Sequence, residues 1–434
     1  MTGFSKWNII PLVNSMLDLN YILENPELIK DSALSKGVTI DVEKIVELAS
    51  KIKPLILETQ KFREQRNIFA KQVSIAKDDE RKSLIEKGKL LKADLDKADL
   101  ELKKLQDALH IILLTIPNPP KTDVKTGKDD SENDVIRKYK EPNQFAFIPK
   151  DHLELGESIG ILDMERAAKV SGARFAYLKG DGVFLQWALV RFALDLLTAE
   201  GFIPVAPPVL IKRETMSGLG YMENGGDEDM FQIPSDNLVL VGTAEQSLVP
   251  MHMDETLKSK DLPMRYVGFS PSFRREAGSY GKDTRGILRV HQFDKVEMVS
   301  FVPEGEDDKE HEYLLSLEEK LFQSLDIPYQ VVKMCSGDLG FPAARKYDIE
   351  AWMPSQKKYR EVTSTSTCTD FQSRRLNMRY KDGEKTKYLC VLNGTAFAIG
   401  RTIIAILENF QTKDGTVKIP QVLQKYMGKE ILGI

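Results

Sequence analysis

The feature that most constrains the fold of this chain is a regular repeat of apolar residues between about residues 80 and 114. Its members follow one another at alternating spacings of four and three: Leu84, Gly88, Leu91, Leu95, Ala98, Leu102, Leu105, Leu109 and Ile112. The positions between them are rich in Lys, Asp and Glu. This a/d pattern predicts a long helix that packs against a second helix along one seam.

A looser repeat of the same spacing precedes it. Its members are Ile45, Ala49, Ile52, Ile56, Thr59, Ala70 and Val73, with Arg63 and Arg66 also on the seam. Pro54 lacks a backbone donor and predicts a kink or a new start of this helix. The polar residues 77–80 predict a turn between the two repeats. The simplest structure is an antiparallel helical hairpin ~50 Å long, from about 35 residues at a rise of about 1.5 Å each.

Basic residues outnumber acidic ones near the predicted tip of the hairpin. The basic residues are Lys71, Lys77, Arg81, Lys82, Lys87, Lys89 and Lys92, and the acidic ones are Asp78, Asp79, Glu80 and Glu86. A basic, solvent-facing rod can follow the phosphate backbone of a folded RNA by charge and shape. The pattern fits a dimerisation coiled coil or a spacer equally well, so these alternatives stay open.

Composition excludes several classes of protein. The three cysteines, Cys335, Cys368 and Cys390, are far apart and form no CxxC motif, which argues against a disulfide scaffold or a zinc knuckle. Apolar runs such as 111–116 are far shorter than the ~18 residues of a membrane helix. Residues 1–15 make a poor signal peptide. We expect a soluble, cytoplasmic protein with no membrane partner, and a net charge of −4 does not exclude RNA because phosphate contacts are local.

The remainder of the chain divides into a linker and a mixed domain. Pro117, Pro119, Pro120 and a polar run mark residues 115–150 as a linker. Beyond it, helical stretches at 166–171, 184–199 and 309–325 alternate with β-rich runs such as 264–275 and 286–301. We predict an extension at 1–15, an N-terminal domain at 16–114 and a catalytic domain at 151–434. The latter should be α+β, with a largely antiparallel sheet, and no standard phosphate loop is present.

Alternating polar residues suggest a site on this sheet. Side chains of like parity share a face of a strand. The pairs and sets that this rule joins are Arg274 with Glu276; Arg289, His291, Phe293, Lys295 and Glu297; Thr243 with Glu245; and Asn393 with Thr395. A sheet face this polar can also simply be solvated. Its chemistry nevertheless suits a nucleotide, since guanidinium groups bind phosphate and an aromatic ring stacks on a base.

Two further positions could complete such a site. Glu361 and Ser364 supply oxygen ligands suited to Mg²⁺, but a spacing of three places them on one strand face only at a bulge or a strand end. Arg401 precedes the apolar run 402–407, at a predicted strand-to-helix junction. The alternative for Arg401 is an ordinary surface salt bridge.

The ordered motifs resemble those of one family. FRREAGS (273–279), DTRG (283–286) and RVHQFDKVE (289–297) are similar to motif 2 of seryl-tRNA synthetases, a family of class II aminoacyl-tRNA synthetases. GFIPVAPP (201–208) resembles motif 1 and NGTAFAIGR (393–401) resembles motif 3. GTAE (242–245), DHLELGE (151–157), SGARF (171–175) and YDIEAW (347–352) fit the same family. With the hairpin and the linker, the resemblance covers nearly the whole chain from about residue 16.

The resemblance implies a role for each matching residue in ATP binding. Arg274 would bind the α-phosphate of ATP and also the carboxylate of the amino acid. Glu276 would accept from the adenine amine, Phe293 would stack on the adenine, and the main chain near Val290 would contact it. Arg401 would cover the opposite face of the adenine and reach the γ-phosphate, so that Arg274 and Arg401 are the catalytic residues.

The same resemblance implies a metal site and an amino-acid pocket. Glu361 and Ser364 would carry Mg²⁺. The L-serine pocket would be formed by Thr243, Glu245, Arg274, Glu297, Asn393 and Thr395. Thr363, Ser366 and Thr367 depart from the Ser and Asn expected near the metal loop.

The implied fold is an α+β domain with a mostly antiparallel sheet flanked by helices, preceded by an antiparallel coiled-coil hairpin. The implied reaction activates L-serine with ATP and transfers the seryl group to tRNA(Ser), with tRNA(Sec) as a further partner that the sequence leaves open. The implied assembly is a homodimer in which each helical arm binds tRNA on the other subunit. Two alternatives are a paralogue that loads an amino acid onto a carrier protein, and a catalytically silent homologue that binds tRNA or protein.

Overall fold

The computed structural model describes residues 17–223, 225–277, 281, 283 and 285–433. Contacts divide the chain into two compact units, Met1–Pro117 and Asn118–Ile434. The predicted extension at residues 1–15 lies outside the described residues. Gly278, Ser279 and Tyr280, in the motif 2 segment, also lie outside them.

The N-terminal unit is helical. Its helices are α1 (Leu19–Glu24), α2 (Pro26–Ser35), α3 (Val42–Ile75) and α4 (Asp78–Leu114). The Asp41 carboxylate caps α3 by accepting a hydrogen bond from the Lys44 amide at 2.8 Å. A two-residue connection joins α3 to α4, and the two pack side by side as the predicted antiparallel hairpin.

The seam between α3 and α4 follows the predicted apolar repeats for most of its length. The buried members are Ile45, Ala49, Ile52, Ile56 and Thr59 on α3, and Leu91, Leu95, Ala98, Leu102 and Leu109 on α4. Nearer the tip, Ala70 and Arg66 are exposed, and Phe69 is half-buried in place of Ala70. Arg63 bridges the helices instead of filling the seam, with its Nη2 2.8 Å from Asp99 Oδ1.

The structure corrects the sequence interpretation of the hairpin at two points. Pro54 lies inside α3, which continues through it, so no new helix starts there. Pro54 and Ser50 are exposed, so water can satisfy the carbonyl that loses its helical donor. The turn is also shorter than predicted, because only Ala76 and Lys77 lie between the helices. The acidic residues 78–80 instead form the first turn of α4, where the helix dipole favours negative charge.

The C-terminal unit contains both helices and strands. The helices are α5 (His152–Ser158), α6 (Met164–Ser171), α7 (Asp181–Ala199), α8 (Arg213–Leu219), α9 (Glu245–Leu248), α10 (Asp307–Ser324), α11 (Phe371–Arg375), α12 (Ile399–Asn409) and α13 (Gln421–Met427). The strands are β1 (Asp134–Tyr139), β2 (Leu162–Asp163), β3 (Tyr177–Leu178), β4 (Ile203–Val205), β5 (Leu210–Lys212), β6 (Gln232–Ile233), β7 (Leu238–Leu240), β8 (Thr256–Lys258), β9 (Met264–Phe273), β10 (Gln292–Val302), β11 (Tyr329–Lys333), β12 (Arg345–Met353), β13 (Lys358–Thr367), β14 (Arg379–Asp382), β15 (Lys385–Tyr388), β16 (Cys390–Ala398), β17 (Val417–Lys418) and β18 (Ile431–Leu432). The helices predicted at 166–171, 184–199 and 309–325 correspond to α6, α7 and α10.

An eight-stranded sheet organises this unit. Its order is β1-β11-β12-β13-β16-β10-β9-β4. Neighbouring strands are antiparallel except β4 and β9, which are parallel. The predicted α+β class with a mostly antiparallel sheet is therefore confirmed.

The two faces of the sheet differ in chemistry because side chains alternate along each strand. One face packs on α10, where Thr363 of β13 contacts Glu318 and Tyr347 of β12 contacts Glu312. The opposite face is polar and lines two cavities, to which Lys346 and Ser364 both contribute. The apolar core therefore lies on the helical side and leaves the polar side for a ligand.

Two sequence interpretations need correction here. The predicted linker at 115–150 includes β1, an edge strand that pairs with β11, since its Val-Ile run can extend the sheet. In addition, β9 ends at Phe273 and β10 begins at Gln292. Strand alternation therefore does not apply to Arg274, Glu276, Arg289 and His291, which lie in the connection. It does not apply to Thr243 and Glu245 either, because a turn leads there into α9.

One described helix, α7, has the length and apolar composition of a membrane span, with a mean hydropathy of 1.4. It is amphipathic in its packing, since Leu185, Leu189 and Ala193 are fully buried in the core of the C-terminal unit. Arg191 and Asp195 form an ion pair on its exposed side. These features are those of a core helix.

Candidate active site

Two cavities open on the polar face of the large sheet. The first has a volume of about 240 Å³, and the predicted site residues that line it are Arg274, Glu276, Val290, Phe293, Glu361, Ser364, Thr395 and Arg401. The second has a volume of about 390 Å³, and the predicted residues that line it are Thr243, Glu245, Arg274, Ser364 and Asn393. Glu297 lines neither cavity, and it is buried beneath them. We name these the first and second cavity.

Arg274 lies at the end of β9 and contributes to both cavities. Its Nε donates to the carbonyl oxygen of Gly242 at 3.3 Å. Its guanidinium carbon is 5.3 Å from the centre of the Phe293 ring, within the range of a cation–π contact. The side chain thus lies near Gly242 and Phe293 and lines both cavities.

Glu276 is placed by the connection after β9. Its backbone has a φ of +55°, in the left-handed region. Its carboxylate forms an ion pair with Arg289, and the following residue, Ala277, donates its amide to Asp229 at 3.0 Å. Glu276 therefore reaches the first cavity through a turn rather than through the strand parity that the sequence suggested.

Glu361 and Ser364 reach the first cavity because β13 contains a bulge. Ile349 pairs with Thr363 and Glu350 pairs with Glu361, so Val362 is the extra residue. A bulge places two residues opposite one and restores a common face for residues three apart. The spacing of three required such an irregularity, and the strand has it.

Arg401 sits in the first turn of α12, directly after β16. Its Nη1 is 3.0 Å from Glu361 Oε2 and donates to the Glu361 carbonyl at 3.1 Å. Burial would raise the pKa of Glu361, but the charge of Arg401, helped by Lys346 and Arg274, outweighs it and lowers the pKa to about 2. Glu361 is thus an anion at neutral pH. The ion pair lines a cavity rather than the open surface.

Glu245 is buried at the base of the second cavity. Its Oε1 accepts hydrogen bonds from Tyr221 Oη at 2.7 Å and from Gln372 Nε2 at 3.2 Å. Burial, with the nearby charge of Glu297, raises its pKa above the usual range. Such a carboxylate is suited to receive a cation, because a ligand ammonium would offset both effects.

A buried ion pair contributes its lysine, Lys295, to the lining of both cavities. Lys295 Nζ is 2.6 Å from Glu297 Oε2 and donates to Thr243 Oγ1 at 3.3 Å. Thr395 Oγ1 donates to Glu297 Oε2 at 3.3 Å. Glu297 therefore contacts Thr395 directly and Thr243 only through Lys295, and its own side chain is 1% exposed.

Sequence reasoning missed several residues of this site. Tyr221 and Gln372 are separated from Glu245 by 24 and 127 residues, and no local signal joins them. Lys346 lines both cavities. It directly precedes the YDIEAW segment and shares strand parity with Asp348, which was the available signal for it.

The described residues contain no group of three or more His, Cys, Asp or Glu side chains that could hold a metal ion. Among the oxygen-bearing side chains that line the first cavity, Glu361 and Ser364 lie together on the bulged strand β13. This pair suits a hard cation that takes its remaining ligands from phosphate and water.

Comparison with known proteins gives matches along the whole chain. The model of the seryl-tRNA synthetase N-terminal domain matches residues 16–120. The model of the tRNA synthetase class II core domain (G, H, P, S and T) matches residues 230–410. The serine--tRNA ligase of Rubrobacter xylanophilus is 44% identical over 420 residues, which are 96% of this chain and 99% of that protein. The serine--tRNA ligase of Thermobifida fusca is 44% identical over 419 residues, with 96% and 99% covered.

Solved structures agree with the sequence matches. Seryl-tRNA synthetase from Pyrococcus horikoshii, complexed with ATP, superposes with a TM-score of 0.88 at 40% identity and covers 96% of this chain and 99% of that one. Cytoplasmic serine-tRNA ligase from Naegleria fowleri, in complex with AMP, gives a TM-score of 0.85 at 30% identity, with 97% and 98% covered. Because these relatives span nearly the full length and both domain models match, the chain belongs to the seryl-tRNA synthetase family.

Proposed function

We propose that this protein activates L-serine with ATP to give seryl-adenylate and transfers the seryl group to tRNA(Ser). The observation that carries the proposal is that the two cavities adjoin and share Arg274. One cavity has the groups that recognise a nucleotide, and the other has a buried carboxylate and hydroxyls that suit a small amino acid. Membership of the family, which includes an ATP complex of the Pyrococcus relative, supports the same assignment.

The first cavity would hold ATP. Arg274 would bind the α-phosphate, Glu276 would accept from the adenine amine, and Phe293 would stack on the base. The main chain near Val290 would contact the adenine edge. Arg401 would cover the other face of the base and reach the γ-phosphate, since its guanidinium lies across this cavity against Glu361.

The first cavity also suits Mg²⁺ carried by ATP. Glu361 is kept anionic, and Ser364 lies on the same side of the bulged strand. Glu361 and Ser364 would hold the ion, which would supply positive charge against the negative charge that develops on the phosphates. Arg401 would then divide its interactions between Glu361 and the phosphate.

The second cavity would hold serine. Glu245 would receive its ammonium group, and Arg274 its carboxylate. The remaining contacts would come from Thr243, Asn393 and Thr395, with Glu297 acting from beneath. A pocket that hydrogen-bonds the serine hydroxyl leaves buried groups unpaired with alanine, so alanine should be rejected by several kcal/mol.

Catalysis of the first step would rest on positioning and charge. The serine carboxylate attacks the α-phosphorus in line, and pyrophosphate leaves with the electrons of the broken P–O bond. No general base is needed, because the carboxylate is already ionised near neutral pH. Arg274 would stabilise the charge on the five-coordinate phosphorus. In the second step, the terminal 3′-hydroxyl of tRNA would attack the carbonyl of the adenylate.

We infer that the N-terminal unit is the tRNA-binding arm. Helices α3 and α4 have 34 and 37 residues and carry exposed lysines and arginines near the tip, including Lys82, Lys87 and Lys89. A long basic rod can follow folded RNA by shape and backbone charge. The domain bounds follow the same proposal, with tRNA binding in residues 16–114 and catalysis in 151–434.

We also infer a homodimer. Strand β4, in the motif 1 segment, is an edge strand of the large sheet, and Ile203 on it is 52% exposed. Phe184 and Trp187 on the neighbouring helix α7 are 62% and 51% exposed. An apolar patch of this kind is typical of a subunit interface. Cytoplasmic location stays a prediction, and tRNA(Sec) stays a further partner that the sequence leaves open.

The two alternative functions are less well supported. The long hairpin is not expected of a paralogue that loads carrier proteins, and the family model of the N-terminal domain covers it. A silent homologue would have no chemical need for Arg274, Glu276, Glu361 and Arg401 in one cavity.

The test is ATP–pyrophosphate exchange with each amino acid, followed by charging of tRNA. We expect exchange with serine and almost none with alanine. Exchange with threonine should be weak but measurable, because only the shape of the pocket discriminates against it and no segment resembles an editing domain. Faster exchange with another amino acid would contradict the proposed substrate. Exchange without tRNA charging would favour the carrier-protein alternative.

A further inference from the structure

Few groups line both cavities. Among the described residues they are Arg274, Lys295, Lys346 and Ser364. If ATP fills the first cavity and serine the second, the α-phosphorus lies where the two meet. The charged groups at this junction are therefore those next to the bond that forms and the bond that breaks.

The two lysines at the junction, Lys295 and Lys346, have different ion-pair partners and different exposure. Lys295 is committed to a buried ion pair with Glu297 at 2.6 Å, and its side chain is only 10% exposed. Lys346 is held more loosely, with Nζ 3.1 Å and 3.4 Å from the two carboxylate oxygens of Asp348. Its side chain is 24% exposed. Lys346 can therefore reach a ligand without leaving its partner.

The sheet register aims Lys346 at the junction. On β13, Ser366 pairs with Lys346 and Ser364 pairs with Asp348. Ser364 lines both cavities, and Ser366 lines the second. Lys346 thus lies opposite Ser366 and diagonal to Ser364, and it lines both cavities itself.

We propose that Lys346, oriented by Asp348, is a further catalytic residue that donates to phosphate oxygens of ATP at the bond between the α- and β-phosphates. This rests on the proposed function. In the step, a serine carboxylate oxygen bonds to the α-phosphorus, the bond to the β-phosphate oxygen breaks, and pyrophosphate takes the electron pair. Lys346 keeps its proton throughout and stabilises negative charge that grows on the leaving group.

The test compares K346M and K346R with the control K333M. Lys333 lies on the adjacent strand β11, forms an ion pair with Asp123 and has a similar exposure of 20%, but it lines neither cavity. Serine-dependent ATP–pyrophosphate exchange gives kcat and KM, and calorimetry gives the affinity for AMP, which has no β-phosphate.

We expect K346M to lower the kcat of exchange by at least about 10²-fold, the usual effect of removing a charge-stabilising donor. Its affinity for AMP should stay within about 3-fold of the wild type, since the adenine and α-phosphate contacts remain. K346R should recover part of the rate, and K333M should be unchanged.

Exchange by K346M within about 3-fold of the wild type would overturn the proposal. An equal loss of exchange and of AMP binding would also overturn it, because that pattern indicates a structural role. If K346M does not fold, K346A decides by the same two criteria, because alanine also removes the charged donor. Failure of the wild-type protein to exchange would instead refute the proposed function.

Discussion

Thr363 of β13 donates a 2.6 Å hydrogen bond to Glu318, which lies on the helical side of the sheet. Glu318 belongs to α10, is fully buried, and contacts the strand at its bulge. Thr363 lies between Glu361 and Ser364 in the chain, so this contact fixes the segment that presents both candidate ligands of Mg²⁺. The helical side of the sheet thus positions groups on its polar side.

Burial raises the pKa of Glu318 well above its usual range, although the hydrogen bond from Thr363 opposes the shift. The folded protein therefore keeps this proton to a higher pH than the unfolded chain does. The contribution of Glu318 to stability is present at low pH and decreases as pH rises toward the folded pKa.

We predict that E318Q becomes more stable relative to the wild type between about pH 5 and pH 8, because the amide has no proton to lose. Thermal midpoints of both proteins at several pH values measure the difference. E312Q, at an exposed position of the same helix, serves as the control and should show no such trend. A constant difference between E318Q and the wild type would indicate that Glu318 is ionised in the folded state.

Gly394 separates Asn393 and Thr395 of the proposed serine pocket and lies against the same glutamate. A Cβ at this position would be 2.9 Å from Glu318 Oε1 and 3.2 Å from both Met298 Cε and Thr365 Oγ1. We predict that G394A costs about 1–3 kcal/mol of stability, as overpacked core positions do. We also expect a raised KM for serine, measured by exchange.

The matched comparison is G88A on α4, where an added Cβ has nothing within 4 Å. That change should stabilise the hairpin by about 1 kcal/mol, because alanine favours a helix over glycine. If G394A left both stability and serine KM unchanged, the packing of α10 against β16 would not control the pocket.

Substitution of Arg274 should reduce adenylate formation, the first step, more than substitution of any other residue of the site. We predict that R274A lowers adenylate formation by at least about 10²-fold. R274K should restore little, because lysine lacks the planar guanidinium that lies against the Phe293 ring and can bind two oxygens. The control is R275A, since Arg275 is the next residue and is exposed. Near-normal pyrophosphate exchange by R274A would reject its role.

Glu361 should determine the demand for Mg²⁺. E361Q removes the carboxylate that Arg401 holds at 3.0 Å, and S364A removes the hydroxyl brought to the same cavity by the bulge. We predict that the Mg²⁺ concentration for half-maximal exchange rises for both variants and rises more for E361Q. Because Arg401 lowers the pKa of Glu361 to about 2, this concentration in the wild type should not depend on titration of Glu361 above about pH 4. An unchanged Mg²⁺ requirement in E361Q would show that Glu361 is not a ligand of the metal.

Helices and strands in which residues repeat at a characteristic spacing could be predicted from the sequence. Contacts between segments that are far apart in the chain could not. The a/d repeat indicated α3 and α4 because one stripe of each helix must be buried. The spacing of Glu361 and Ser364 implied the bulge in β13, since only an irregular strand brings them to one face. By contrast, Tyr221 and Gln372 meet at Glu245 only through the tertiary fold.

Some residues that the sequence analysis grouped do lie together, but for a different physical reason. Arg274 and Glu276 were grouped by strand parity, yet they lie beyond β9 and reach one cavity through a turn with a positive φ at Glu276. Local parity cannot reveal where a strand ends. Hydrogen bonds to other segments, such as that from the Arg275 amide to the Asp229 carbonyl at 2.8 Å, decide it.

Substitution of exposed lysines on the hairpin can distinguish tRNA binding from the two alternatives, a dimerisation coiled coil and a spacer. Lys82 and Lys89 lie on the exposed surface of α4 near the tip. We predict that the double variant K82E/K89E lowers kcat/KM for tRNA charging by about 10-fold or more and leaves serine-dependent exchange unchanged. Loss of two phosphate contacts should also make the salt dependence shallower, by about 0.7–0.9 in the log–log slope for each contact.

The control is K103E/K104E, at two lysines that are exposed on the same helix but lie far from the tip of the hairpin. Its kcat/KM for tRNA charging should be much closer to that of the wild type. A coiled coil used for dimerisation would respond differently, because reversal of the tip charges would change the sedimentation of the protein and not its salt-dependent affinity for tRNA. If the hairpin is only a spacer, neither K82E/K89E nor K103E/K104E should change tRNA charging. Equal charging by both variants and the wild type would therefore remove tRNA binding from the tip of the hairpin.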